Sequence, residues 1–289
     1  MAWKKNKINM GKYNATEHEL KAYRWCIRNK IYIAPKAIND AKWSIVITNN
    51  GKTYEDPSHY IRDLIWERFT NIINIIMKKT YQNANEAYEA VLNNIIVEGI
   101  DFGDTKAVFN CGFYIMDPED NYISNRQRNW SLKYAEAEWQ WYLSGDNSIA
   151  KLGSIYGKIP PIWVKMANNK GLVNSNYGWQ WQRENQLEYV IHKLKKNPDT
   201  RHAAISIYDC KEHDNYKKDT PCTYAVQFTI INNKLNMSVY MRSNDIWYGF
   251  CNDQYCFSML QKLVAERLSI NVGWYYHHAH NMHLYNDKL

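Results

Sequence analysis

The chain predicts a globular protein that mixes helices and strands, and three observations carry that expectation. Apolar residues recur at helical spacing over 87–98, 130–143 and 184–195. Residues 224–230 and 235–241 instead alternate with the two-residue period of strands, around the turn Asn232-Asn233-Lys234. The composition, 45% hydrophobic and 15% aromatic, is that of a folded core and not of a disordered chain. A length of 289 residues allows one substantial core and an appendage.

The appendage is expected at the front. Residues 1–80 hold 15 Lys and Arg against 7 Asp and Glu, while the rest is balanced at 21 against 22, so the net charge of +7 lies entirely in this stretch. Leu20, Tyr23, Trp25 and Ile27 fit a helix over 17–29, and residues 43–48 followed by Asn49-Asn50-Gly51 read as a strand and turn. Ile61, Leu64, Ile65, Phe69, Ile72, Ile73 and Ile76 mark a helix over 60–79. A small basic module, 1–80, is therefore expected ahead of a larger domain, 81–289. Its charge and its tryptophans at 3, 25, 43 and 66 suit a nucleic-acid or protein contact; the plainer reading is a solvated basic face over an aromatic core.

No apolar run reaches the length of a membrane span, and the Met-Ala-Trp-Lys-Lys start lacks a signal peptide's apolar stretch, so a cytoplasmic protein is expected. The six cysteines, at 26, 111, 210, 222, 251 and 256, show neither a CxxC pair nor a metal spacing with histidine, so reduced thiols and no metal are expected.

In the larger domain, Val91, Leu92, Ile95 and Ile96 give the helix over 87–98 one apolar side, and Gly99 is its terminator. The helix over 130–143 is expected to be largely buried and carries Glu136 and Glu138, the latter followed by Trp139-Gln140-Trp141. A carboxylate among tryptophans is hard to ionise, which raises its pKa toward the range useful for proton transfer. Asn168-Asn169-Lys170-Gly171 reads as a loop, and after the helix over 184–195 Asn197-Pro198-Asp199 turns into a strand over 203–208. The hairpin that follows has Cys222 at its start and Arg242 at its end. A thiol beside a fixed positive charge loses its proton more readily and becomes a nucleophile.

These residues also form an ordered set. Pro221-Cys222, Gln227-Phe228, Arg242-Ser243-Asn244-Asp245, Gly249, Asn252-Asp253 and His283-Leu284-Tyr285 resemble, in order and spacing, the thymidylate synthase superfamily. Lys170-Gly171, the run from Asn174 to Trp179 and the run from Asn197 to Arg201 fit the same pattern upstream. The likeness covers roughly residues 86–285 and is well marked from Glu138 onward. Met241 to Asp245, Gly249-Phe250 and Asn252-Asp253 are most similar to the deoxycytidylate hydroxymethylases of phages. The resemblance implies an α/β fold, with a mixed twisted sheet packed by helices and two such sheets back to back in a homodimer. It also implies 5,10-methylenetetrahydrofolate as co-substrate.

Carried over position by position, the resemblance implies a role for each residue. Cys222 adds to C6 of a pyrimidine so that C5 attacks the one-carbon unit. Glu138, favoured over Glu136 by register, is the catalytic glutamate, and Tyr177 helps to order water and remove the C5 proton. Arg242 favours the thiolate and, with Ser243, binds the nucleotide phosphate. Arg201 reaches across the dimer to the partner's phosphate, and His202 stands where relatives have a second arginine. His283 and Tyr285 bind the sugar hydroxyl, while Asp245 and Gly249 lie at the folate. Lys106 falls where the family has a basic phosphate ligand in a poorly matching loop.

Asp253 stands where synthases that use deoxyuridylate carry asparagine. An asparagine amide matches the N3–H and O4 of uracil; a carboxyl group accepts from the amino group of cytosine and, when protonated or facing a protonated N3, completes the pair. Thr223, where the synthases have histidine, points the same way. The resemblance thus implies hydroxymethylation of dCMP by a phage-encoded enzyme. A methyltransferase acting on dCMP or dUMP, with folate hydride replacing water, is the second reading. The third is a non-catalytic nucleotide- or nucleic-acid-binding protein on the same scaffold. Relatives continue past the position of Tyr285 with a tail over the folate, whereas four residues follow here, so a more open folate site, or one covered by the N-terminal module, is expected.

Overall fold

A computed structural model describes residues 26–27, 31–49, 51–56, 79–216 and 218–289. The chain divides between Lys79 and Thr80 into two units. In the first, the expected strand at 43–48 forms the middle of an antiparallel meander, β1 (Ile31–Ala37), β2 (Trp43–Asn49) and β3 (Lys52–Glu55). Ile45 is fully buried, and the Ser44 hydroxyl beside it donates to the Asp56 carbonyl at 2.9 Å. Nearly all of the helices expected over 17–29 and 60–79, with Trp3, Trp25 and Trp66, lies outside the described residues.

The second unit is built on a mixed seven-stranded sheet. Its strands are β4 (Thr80–Tyr81), β5 (Ile100–Phe102), β6 (Thr105–Ile115), β7 (Ala204–Ser206), β8 (Thr223–Ile231), β9 (Lys234–Asp245) and β10 (Asn271–Tyr285). They run in the order β4-β6-β10-β9-β8-β7, with β5 on β6. β9 and β10 are parallel, as are β4 and β6, and the remaining pairs are antiparallel. The helices are α1 (Ala84–Glu98), α2 (Leu132–Leu143), α3 (Ile149–Tyr156), α4 (Pro161–Met166), α5 (Tyr177–Gln182), α6 (Gln186–Lys196) and α7 (Gly249–Leu268). The expected α/β class is therefore observed. Among the described residues no helix is long and apolar enough to cross a membrane.

Local chemistry accounts for the element ends. Asn83 and Ser131 cap α1 and α2 by accepting the N–H groups of Glu86 at 2.9 Å and Tyr134 at 3.2 Å. Asn232 and Asn233, with φ of 51° and 56°, form the two-residue turn between β8 and β9, a conformation asparagine tolerates better than most residues. The helix expected over 184–195 starts only at Gln186 because Glu184 and Asn185 are left-handed, with φ of 53° and 55°. The strand expected over 203–208 is shorter as well. The N–H groups of Ile207 and Tyr208 both go to the Tyr224 carbonyl, where a bulge breaks the ladder.

The core lies between the sheet and a layer formed by α2, α5 and α7. Trp181 of α5 packs edge-on against Phe257 of α7 and against Tyr142 of α2, and Tyr177 is tilted against Phe257. Gly178 permits this layer. A Cβ there would fall 2.0 Å from the Tyr142 carbonyl oxygen, so α5 rests on the backbone of α2 only without one.

Candidate active site

Cys222 stands just ahead of β8, next to the bulge at Tyr224. Its carbonyl accepts the Arg242 N–H at 2.8 Å, which sets the two residues side by side. The Arg242 guanidinium is then tethered through Nε to the Pro221 carbonyl at 3.1 Å and through Nη2 to the Thr220 carbonyl at 2.8 Å. Nη2 also lies 3.7 Å from the Cys222 sulfur, so the thiol–guanidinium pair expected from the hairpin is present. Its balance differs from the expectation. Cys222 is half-buried, and desolvation pushes its thiol up to about 11, with Arg242 as the largest opposing influence.

A second clamp fixes the loop carrying the thiol. Asp219, buried, accepts the N–H groups of Asn174 at 2.6 Å and Ser175 at 2.8 Å and the Ser175 hydroxyl. This ties the 219–222 loop to the start of α5, where the buried Tyr177 hydroxyl accepts the Thr223 N–H at 3.3 Å. Tyr177 is thus brought to the residue after Cys222. Asp219 itself carries no motif signal, because an aspartate in a loop reads as a turn residue.

Glu138 and Glu136 are told apart by the helix face. Glu136 is exposed; Glu138 is 4% exposed and accepts the Tyr134 hydroxyl at 3.1 Å. Burial, with the charge of Asp253, pushes Glu138 up to about 8. Asp253, on the second turn of α7, is pushed up to about 7, first by burial and opposed by the Asn244 amide, which donates to Oδ2 at 2.7 Å. Asn244 in turn meets Nε2 of fully buried His277 at 3.0 Å, and His277 Nδ1 meets the Tyr275 hydroxyl at 2.7 Å. The histidine and the tyrosine of this row lie in a strand that carries no apolar alternation, so the sequence gives no sign of the contact.

Ser243 pairs with Asn281 across β9 and β10 and is the diagonal neighbour of His283, with Oγ and Nδ1 3.5 Å apart; Nδ1 lies 2.8 Å from Asn281 Oδ1, and the ring of Tyr285 stands edge-on to His283 at 5.4 Å. Burial lowers His283 below the usual histidine value. Asp245 closes the turn into α7 by accepting the N–H groups of Trp247 at 2.8 Å and Tyr248 at 3.2 Å, and burial pushes it up to about 6. Each of its oxygens retains a second lone pair, so these acceptors fit a heterocycle that presents N–H groups. Gly249 has a steric reason to be glycine: a Cβ there would lie 2.9 Å from Asn244 Nδ2 and 3.4 Å from Asp253 Oδ2.

Two expected residues do not converge with the rest. Lys106 donates to the Ile96 carbonyl at 2.8 Å, and its ammonium is engaged at the C-terminal end of α1. Arg201 lines an open pocket of about 380 Å³ with Pro198, Asp199, Thr200, Gln227, Thr229 and Ile230. Gln227 is five residues along the strand from Cys222, a separation of about 17 Å. Arg201 and Cys222 therefore belong to opposite ends of β8 within one chain.

A thiol held beside a guanidinium, with two carboxyl groups raised toward neutrality, is suited to nucleophilic addition coupled to proton transfer. Residues 86–289 match the family model described as thymidylate synthase, and the chain belongs to the thymidylate synthase family. It is 36% identical over 150 residues to the deoxycytidylate 5-hydroxymethyltransferase of Enterobacteria phage T4, covering 49% of this chain and 58% of that protein. It is 32% identical over 181 residues to the thymidylate synthase of Fusobacterium nucleatum, covering 60% of this chain and 64% of that one. The chain thus matches under two thirds of the length of either relative. The thermostable thymidylate synthase A of Bacillus subtilis shares the fold, with a TM-score of 0.61 at 23% identity over 70% of this chain and 80% of that one.

The raised carboxyl groups make a prediction. Glu138 keeps its proton in the folded state up to about pH 8, whereas the unfolded chain gives it up near the ordinary glutamate value. Between those values the folded state binds more protons, so its stability falls as pH rises. Glu138→Gln should therefore raise the melting temperature by several degrees at pH 8.5, and the gain should vanish by pH 4, measured by thermal unfolding across that range.

Proposed function

We propose that this chain transfers a one-carbon unit from 5,10-methylenetetrahydrofolate to C5 of dCMP and releases 5-hydroxymethyl-dCMP. The observation that carries the base assignment is Asp253. A carboxyl group poised at about 7 holds a proton for N3 of cytosine while its other oxygen accepts from the amino group, and an asparagine offers no such proton. The 36% identity to a phage deoxycytidylate 5-hydroxymethyltransferase supports the same choice.

In this reading Cys222 attacks C6 as its proton departs, with Arg242 beside the sulfur stabilising the developing thiolate. Asp253 protonates N3 as C6 is attacked. The folate supplies the carbon at the oxidation level of formaldehyde; C5 then gives up its proton as tetrahydrofolate leaves, water adds to the carbon, and Cys222 departs from C6 with the electron pair of its bond. Glu138, mostly protonated near neutrality, exchanges protons with the reacting groups, and the Tyr177 hydroxyl, one residue from the thiol, orders the water that takes part at C5. Arg242 and Ser243 hold the phosphate, His283 and Tyr285 the sugar hydroxyl, and Asp245 the folate ring. Gly249 acts there by leaving space. Arg201, at the far end of β8 from Cys222, serves the phosphate of a second copy, so the working unit is a homodimer with shared sites. Residues 1–80 are a separate basic module.

The deciding experiment is incubation with dCMP or dUMP and methylenetetrahydrofolate, with mass analysis of the product. A product 30 Da heavier than dCMP, without dihydrofolate, is expected, the mass being that of one added formaldehyde unit. Dihydrofolate formation instead selects the methyltransferase reading. Cys222→Ala should abolish tritium release from C5-labelled dCMP, and exchange at the wild-type rate would remove the covalent step.

Asp253→Asn should move the ratio of kcat/KM for dCMP over dUMP by well over tenfold toward dUMP, since one buried hydrogen-bond mismatch costs about 1–3 kcal/mol. Mixing an Arg201→Ala chain with a Cys222→Ala chain should restore part of the activity, because one composite site then has both residues. A verified mixed dimer without activity excludes the shared phosphate site.

A further inference from the structure

Tyr134 and Glu138 are four residues apart on α2 and so share one face of the helix. Tyr134 lies in the first turn, where Ser131 binds its N–H, and its ring stands edge-on to Tyr156 of α3 at 5.2 Å. Its hydroxyl accepts the Trp163 indole N–H at 2.7 Å and meets Glu138 Oε1 at 3.1 Å. Trp163 is the inward residue of α4. Ile162 and Val164 on either side of it are exposed, and its ring stands edge-on to Trp141 at 5.3 Å.

We propose that Tyr134 is the positioning residue of Glu138: pinned by the Trp163 indole, it presents the hydrogen that the carboxyl group requires once its own proton has left. The use of that proton in turnover rests on the proposed function, whereas the bond does not.

Donor counting carries the assignment. An indole N–H only donates, so Trp163 occupies an acceptor position on the Tyr134 oxygen and leaves the phenolic hydrogen for another partner. An ionised carboxylate only accepts, so with Glu138 ionised the bond runs from Tyr134 to Glu138. With Glu138 protonated it can run either way, as a bond between neutral groups. The charged arrangement is about twice as strong as a neutral one. Tyr134 therefore favours the ionised form whichever way the neutral bond runs. Trp163 adds to this, because a hydroxyl that accepts one hydrogen bond donates a stronger one.

The other titratable groups that act on Glu138 are Asp253 and Cys256 of α7 and Tyr142 of α2 itself, while α4 faces Tyr134 with the uncharged Trp163. All three are acids, so their charges oppose its ionisation. The Tyr134 bond is the influence that lowers Glu138 from the value to which burial and Asp253 raise it. Loss of the bond should raise the group further.

The test is a double-mutant cycle of thermal unfolding on the full chain, which needs no substrate. Wild type, Tyr134→Phe, Glu138→Gln and the double variant are melted at about pH 7 and about pH 9.5. Above the ordinary glutamate value the stability of the wild type falls with pH until folded Glu138 ionises, near pH 8. Tyr134→Phe should extend that fall by about one pH unit, the scale of one hydrogen bond to a charged group. Its destabilisation should thus be a few degrees larger at the higher pH, and equal at both when Glu138 is replaced by Gln. Tyr134 keeps its own proton throughout, since burial raises it above the usual tyrosine value.

Trp163→Phe keeps a ring against Trp141 and removes the N–H, so it should give the same pattern at smaller amplitude; it decides where Tyr134→Phe does not fold. A destabilisation that is equal at both pH values, or that changes with pH alike in both backgrounds, is that of a packing residue and overturns the proposal. In turnover of dCMP the pH optimum of Tyr134→Phe should move up by about one unit. An unmoved optimum beside the expected cycle counts against the use of the Glu138 proton in turnover and not against its bond to Tyr134. If the wild type does not act on dCMP, the proposed function fails and the cycle still decides the role of Tyr134.

Discussion

Two buried carboxyl groups that act on one another are the constraint on which the rest of the second unit depends. Glu138 and Asp253 come from α2 and α7, neither has a cation among its hydrogen-bond partners, and the charge of Asp253 raises Glu138. Burying a charge without a partner is costly, so such groups keep their protons instead. Within the proposed function that cost is useful, because both groups then hold protons near neutrality, where a pyrimidine ring needs them supplied and removed. The surroundings bear the demand: α5 lies on the backbone of α2 at Gly178, and the rings of Tyr142, Tyr177, Trp181 and Phe257 pack together between α2, α5 and α7.

The same reasoning explains how much of the site was legible. Cys222 and Arg242 were, because a hairpin with a two-asparagine turn fixes which residues meet at its open end. The burial of Glu138 was legible through its tryptophan neighbours, and Glu138 is buried where Glu136 is exposed. The charge state of the thiol was not, since the desolvation of a sulfur depends on what encloses it, and neighbouring residue types give only the sign of one opposing charge.

The two central elements were also hidden. α7 is buried on most of its circumference, with Phe250, Cys251, Gln254, Phe257 and Gln261 all inside, so no apolar stripe stands out from a polar one. β10 alternates Tyr275, His277 and Ala279 on its buried side with Trp274, Tyr276 and His278 on the other, and aromatic and imidazole rings occur on both. A period of two in burial therefore leaves no period of two in hydrophobicity. Asp219 and His277 are invisible for a related reason, as each matters through a partner far away in sequence: Asp219 through Ser175, 44 residues before it, and His277 through Asn244, 33 residues before it.

The turn from β9 into α7 joins the two sides of this site that the proposed function gives to folate and to the base. Asp245 accepts the N–H groups of Trp247 and Tyr248, and the Ile246 N–H goes to the His283 carbonyl, so the chain between strand and helix is held at three points. That turn sets the distance from Asn244, one residue before it, to Asp253, on the helix after it, and Gly249 is the point of closest approach. Within the proposed function, the Asp245 carboxyl group that meets folate is therefore also the brace behind the carboxyl group that meets the base. Loss of that side chain would loosen both ends, and a change in folate affinity in such a variant would arrive together with a change in base preference. On that reading the two substrates meet neighbouring residues on one short stretch of backbone, and their recognition is coupled through it.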